Sequence, residues 1–215
     1  MTILDVVFEN WRAYLSGLLV TLKLCGTAWT GGLLIGGAVA LAAEWLPRGV
    51  GWPVNVLSRM TEAIPILVLL FWFHYPVQAA LGVTIDPFLT TAVLLTVLNS
   101  LAIFGILRRA IVKVPIEYVD AARVCGVRQG DIFWSIKLPL AIRSALGAIT
   151  SSQVNILQLS IFGSLISVEE LFRISQRINA QIYKPIQVYS GLALFFLAVC
   201  LPLNLLARHL DRRLS

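Results

Sequence analysis

Residues 120–139 read DAARVCGVRQGDIFWSIKLP, a stretch with acids, bases, a glutamine and a mid-segment glycine, set between two long apolar runs. The runs identify the solvent. The chain is 58% hydrophobic and 13% charged, with a mean hydropathy of +0.85, whereas soluble domains carry about 25% charged residues. Several stretches reach the roughly 20 helical residues needed to cross ~30 Å of hydrocarbon. Backbone polar groups inside lipid must be satisfied within the segment, which favours helices. The short alternating segments of a membrane barrel do not occur. The sequence therefore predicts an all-α integral membrane protein, with residues 1–215 forming one transmembrane domain.

Five spans are expected, at about 16–43, 54–75, 88–107, 138–168 and 188–207. The fourth is rich in Ser, Gln and Asn. An odd number of spans puts the termini on opposite sides. The side holding the first loop, the 108–137 loop and the C-terminus would carry Arg48, Arg59, Arg108, Arg109, Lys113, Arg123, Arg128, Lys137, Arg143, Arg208, Arg212 and Arg213. The other side would hold Arg12, Lys23, Arg173, Arg177 and Lys184. Lys and Arg accumulate on the cytoplasmic side, so the quoted stretch and the C-terminus are expected inside and the N-terminus outside. Asp5 and Glu9 precede the first span where a cleavable signal would be basic, so none is expected.

The net charge of +6 suits inward-facing arginines near anionic lipid. No basic stripe interleaved with aromatics points to nucleic acid. Cys25, Cys125 and Cys200 match no metal spacing and read as free thiols. No tandem repeat or second soluble domain is apparent.

The loop between Arg108 and Lys137 makes sense as two short helices. Pro115 can open the first, because its missing N–H costs nothing in a first turn. Glu117 and Asp120 then lie near a helix N-terminus that favours anions, and Gly126 stops the helix as a C-terminal cap. A second helix, from about Gln129 to Ile136, groups Ile132, Phe133 and Ile136 and should end at Leu138-Pro139. Such a compact, partly apolar face fits a groove on another protein. A segment lying on the bilayer surface is the other reading.

Asp120-Ala121-Ala122, Gly126 four residues later, then Ile136 and Leu138-Pro139 resemble the EAA loop of ABC-importer permeases. YLSGLLVTLKL at 14–24, LISVEEL at 165–171 and the RHLDRRLS tail resemble the polar amino acid (histidine/glutamine-type) branch of these binding-protein-dependent importers. The resemblance covers nearly the whole chain. It implies the type I ABC importer permease fold and a loop whose coupling helices seat in a cleft of an ATP-binding subunit. Glu117, Asp120, Ala121, Ala122, Gly126, Leu138 and Pro139 would carry that coupling. It also implies a second permease subunit, identical or sister, two ABC ATPases, an extracytoplasmic solute-binding protein, and a bacterial inner-membrane location.

The chain departs from the branch where its spans read TEAIP (61–65), LAIFGIL (101–107) and QLSIF (158–162). There the branch has Arg-Gly-Thr-Pro-like, Ala-Tyr-x-x-Glu and Lys-x-Thr-Ser-Leu elements. The first acid of the loop pattern is Asp rather than Glu.

No phosphate-binding G-x-x-x-x-G-K-S/T run occurs, so ATP and Mg are expected on a partner ATPase and no cofactor in this chain. His74 and His209 form no triad or metal set. Intramembrane polar groups mark either a path or interhelical hydrogen bonds. Asn99, Asn155, Gln158 and Ser160 are the candidates for a solute path; Ser151, Asn155 and Gln158 share one helical face, opposite Gln153, Ser160, Ser164 and Ser167. Pro65 should bend the second span, with Glu62 paired to Arg59. Gly32 and Gly36 form a close-packing G-x-x-x-G.

The expected function is the translocation subunit of an ATP-driven importer of a small polar solute, an amino acid or derivative. An ion-coupled carrier or channel is the alternative, and it would need paired intramembrane charges or broken helices. A non-transporting scaffold would have no use for the polar fourth span.

Overall fold

The computed structural model describes residues 2–214. Nine helices account for nearly all of them, and no strand occurs among the described residues. In chain order they are α1 (Ile3–Glu9), α2 (Trp11–Trp45), α3 (Pro47–Ala63), α4 (Ile66–Leu81), α5 (Pro87–Lys113), α6 (Ile116–Val124), α7 (Gln129–Ile166), α8 (Leu171–Ile182) and α9 (Pro185–Leu214). Four of these, α2, α5, α7 and α9, are long and apolar enough to cross a membrane alone. The bent pair α3–α4 is the candidate for a fifth. Helix α5 packs between α2 and α7, and α9 covers the far side of α7.

Close approach of α2 and α5 rests on small residues. A Cβ at Gly32 would collide with the Asn99 side chain. One at Gly36 would meet the Ser100 carbonyl and stand 2.9 Å from Ile103 Cβ. Ala28 and Ala40 continue this face and are fully buried. Without a hydrophobic drive between helices in lipid, such packing of small side chains holds neighbours together. The same logic joins α7 to α9, where a Cβ at Gly147 would lie 2.8 Å from the Ala207 carbonyl.

The second span is not one helix. α3 and α4 meet at 103°, because Ile64 is extended (φ −101°, ψ 126°) ahead of Pro65. A residue preceding proline is pushed out of helical space by the ring. Beyond the bend, α4 is tied to the start of α5. Gln78 donates to Thr90 Oγ1 (3.1 Å) and accepts from the Ile85 N–H (2.7 Å), with His74 in the same cluster. Glu62 does not pair with Arg59. It accepts instead from Ser58 Oγ at 3.0 Å, one turn below it on the same helix face.

Leu138-Pro139 does not end the loop's second helix. α7 runs unbroken from Gln129 to Ile166. A wide turn at Phe133–Lys137 immediately before Pro139 loosens the ladder there. Such π turns absorb the hydrogen bond that an interior proline cannot donate. The same device recurs at Phe73–Val77, which contains Pro76.

The C-terminal part of α9 lies at the loop end of the bundle, with Asp211 against Gly147. α1 packs at the opposite end, where Ile3 meets Gly191. Of the sequence signals at the tail, the side chain of Arg213 and residue Ser215 lie outside the described residues.

Candidate functional site

Between the long helices the polar loop is shorter than its sequence suggests. α5 continues to Lys113 and α7 begins at Gln129, leaving residues 114–128. Pro115 (φ −55°, ψ 131°) caps α6, which starts at Ile116 with Glu117 in its first turn. The other end is a Schellman motif. Gly126 has φ +75°, its N–H donates to the Arg123 carbonyl (2.9 Å), and the Val127 N–H donates to the Ala122 carbonyl (3.1 Å). The left-handed turn reverses the chain and lays α6 against the start of α7. Val119, Ala122 and Ile132 are buried together there, with Ile136 packed on them.

This small core divides the candidate residues. Ala122 faces inward, whereas Glu117, Asp120, Ala121 and Gly126 are exposed. Asp120 holds Arg123 at 3.0 Å one turn away, with both side chains about half exposed. Around them Ile116, Tyr118 and Val124 are also exposed, Val124 at 88%. The loop thus offers water exposed apolar side chains spread around α6, with Glu117, Asp120 and Ala121 between them on its outward side. Leu138 packs on the cluster of Ala110, Ile111, Phe133, Ala141 and Ala145, and Pro139 is exposed. These two sit at the root of the loop, on α7 beyond the turn of Phe133–Lys137.

The roots are held by a residue that sequence patterns do not single out. Glu44, in the last turn of α2, accepts from Arg108 at 2.9 Å and from Lys137 at 3.1 Å, each side chain about a quarter exposed. Trp45 meets Phe133 edge-on at 5.7 Å. A cavity of about 260 Å³ lies under the loop, lined in part by Glu44, Val119, Arg123, Gln129 and Lys137.

The intramembrane polar residues separate into two groups. Asn99 is fully buried and joins three helices. Its amide donates to the Ala28 carbonyl (2.9 Å) and to Gln153 Oε1 (3.1 Å), and its oxygen accepts from Ser152 (3.3 Å) and Gln153 (3.4 Å). Ser160 is likewise sealed, donating to the Leu157 carbonyl at 2.8 Å. Both are closed inside this chain's bundle, away from the exposed polar face of α7. Ser151, Asn155 and Gln158 form the outward face of α7 and are exposed.

At the opposite end, Glu170 of the LISVEEL stretch is fully buried and caps α8. Its two oxygens accept the Phe172 (2.8 Å) and Arg173 (2.7 Å) N–H groups. Burial pushes its carboxyl up to about 7, against the lowering effect of these backbone donors and helped by nearby Glu169.

A family model described as "Binding-protein-dependent transport system inner membrane component" matches residues 32–215. The glutamine transport system permease protein GlnP of Escherichia coli (strain K12) is 30% identical over 94% of this chain and 92% of its own. The probable glutamine ABC transporter permease protein GlnM of Bacillus subtilis (strain 168) is 25% identical over 98% and 97%. Among solved structures, an amino acid ABC transporter with histidines superposes with a TM-score of 0.89 at 24% identity, covering 99% of both chains. Inward-facing MetNI, a methionine ABC transporter, does so at 0.74 and 20%, covering 96% of this chain and 98% of that one. The last two speak for the fold.

Proposed function

From the premise that this chain belongs to the family of binding-protein-dependent transport system inner membrane components, we propose that loop 114–128 is the seat of a separate ATPase whose closure drives the bundle. The chain is a multi-pass membrane permease subunit of an ABC importer, with the type I permease fold. The observation that carries the coupling reading is the exposed outward side of α6. Ile116, Tyr118 and Val124 stand out from a loop braced by its own small core and by the Gly126 turn. A short braced helix that exposes Ala121 and Val124 beside Glu117 and Asp120, with Ile116 and Tyr118 on its two flanks, fits docking into a groove. A segment lying on lipid would instead carry one continuous apolar face, whereas the outward side of α6 holds two acids. Glu117, Asp120, Ala121 and Gly126 are therefore assigned to the interface, Ala122 to the loop's core, and Leu138 and Pro139 to its root. ATP and Mg belong to that partner.

The solute is an amino acid or a close derivative, supported by relatives named for glutamine. The exposed face of Ser151, Asn155 and Gln158 lines its path, facing a second permease subunit rather than lipid, since polar side chains at membrane depth point to cavities and partners. An extracytoplasmic binding protein delivers the solute. The membrane is the bacterial inner membrane, with the loop and C-terminus inside, in keeping with the cations gathered at that end. Co-purification with the ATPase tests the coupling reading: Asp120→Arg and Gly126→Val should insert normally yet lose ATPase association or ATP-driven uptake. Unchanged uptake by both variants would overturn it.

A further inference from the structure

We infer that Glu44 is the positioning residue that ties both roots of the coupling loop to α2, so that displacement of the loop is delivered to the bundle through this one carboxylate. The inference rests on the coupling reading above and adds the route by which the motion leaves the loop. Three observations support it.

Glu44 is misplaced for its own helix. It sits in the last turn of α2, where the negative end of the helix dipole disfavours an anion. Its placement answers instead to the two cations it meets. Arg108 lies on α5 just before the loop, and Lys137 lies on α7 just after it. One oxygen of Glu44 takes each, at 2.9 and 3.1 Å. A single side chain thus spans the entry and exit of the loop and belongs to neither.

The contact also falls where the chain is easiest to deform. Lys137 closes the wide turn Phe133–Lys137, and interruptions of this kind in a helix are natural hinge points. On the loop side of it, Val119, Ala122 and Ile132 pack as one body, with Ile136 of the turn itself against them. On the other side α7 continues to the polar face of Asn155 and Gln158. Trp45 against Phe133 gives the same junction an apolar contact next to the ionic one. The cavity beneath the loop leaves room for the loop body to swing about this point.

With Glu44 made neutral, the loop would still bind and turn over its ATPase, but its movement would be taken up in the loosened turn. The test uses the assembled importer with its ATPase in proteoliposomes. The reporter is the thiol introduced by Ala148→Cys, at an exposed position of α7 beyond the wide turn, in a Cys125→Ser background, and the probe is a charged methanethiosulfonate. In the Glu44 parent, turnover of ATP to the vanadate-trapped ADP state should change the labelling rate at position 148 about five-fold or more relative to the nucleotide-free state. Glu44→Gln should reduce that ratio to below two-fold while ATPase association and hydrolysis persist. Lys137→Met should do the same, and the double variant should be no worse than either single one, as expected for groups acting through one contact.

An undiminished ratio in Glu44→Gln overturns the inference. So does loss of the ATPase from both single variants, which would make the contact merely structural. Lys137→Met decides the matter if Glu44→Gln does not assemble. A parent that hydrolyses ATP without any change at position 148 refutes the coupling reading, and this inference falls with it. The two failures are therefore told apart by the parent alone.

Discussion

Gly126 provides a perturbation whose size follows from backbone geometry alone. Its φ of +75° lies in the left-handed region, and a Cβ built there would find nothing within 4 Å. Substitution therefore adds no clash, and only the conformational cost remains, about 1–2 kcal/mol for an ordinary L-residue. Asn tolerates this region better than most residues and Val worse. The expected order of damage is Gly126→Asn, then Ala, then Val, although steric bulk is irrelevant at an open position. If the docked loop requires the Schellman turn, 1–2 kcal/mol reduces the competent population by up to about 5–30-fold, and the apparent affinity for the ATPase falls by the same factor. Titrating detergent-purified permease with the ATPase measures this directly. Gly126→Asn should lie within about two-fold of the parent, and Gly126→Ala and Gly126→Val should fall progressively lower. Wild-type affinity for Gly126→Val, or a Gly126→Asn as poor as Gly126→Val, would refute the reasoning.

Adjacent glycines of α2 should behave in opposite ways. Gly36→Ala forces a methyl onto the Ser100 carbonyl and Ile103 and should destabilise by about 1–3 kcal/mol, whereas Gly37→Ala meets open space and should be neutral or gain up to about 1 kcal/mol in helix propensity; thermal unfolding in detergent compares them. Glu170, lifted from 4.5 to about 7 by burial, favours the folded state when protonated. Its contribution is fully present below about pH 4.5 and lost as the pH rises through about 7; Glu170→Gln should flatten this segment of the melting-temperature profile, and an unchanged slope would contradict the assignment. Gln158→Leu and Asn155→Leu should slow ATP-driven uptake several-fold with the ATPase still bound, and full uptake by both would remove that face from the path.

Much of this architecture was legible because it depends on local rules. Pro65 bends the second span, Gly126 ends α6, Pro115 precedes it, and Gly32 with Gly36 marks the seam with α5, each through a property of one residue. Local rules say less where partners are remote. Asn99 is polar in an apolar span, a signal shared by a solute path and an interhelical bond. Only the fold reveals that Ala28 and Gln153, 71 and 54 residues away, consume its hydrogen bonds. Glu44 carried no signal, because Arg108 and Lys137 lie 64 and 93 residues from it. The uninterrupted α7 was hidden by Pro139, whose usual reading as a helix boundary is cancelled by the wide turn before it.

Cys125 permits the most direct test of the docking claim. It is exposed at the end of α6, while Cys25 and Cys200 are buried, so a thiol-directed benzophenone will report from the loop. Irradiation of the functioning importer should join this chain to its ATPase subunit. Adducts with lipid alone, in membranes where uptake still depends on ATP, would contradict the account.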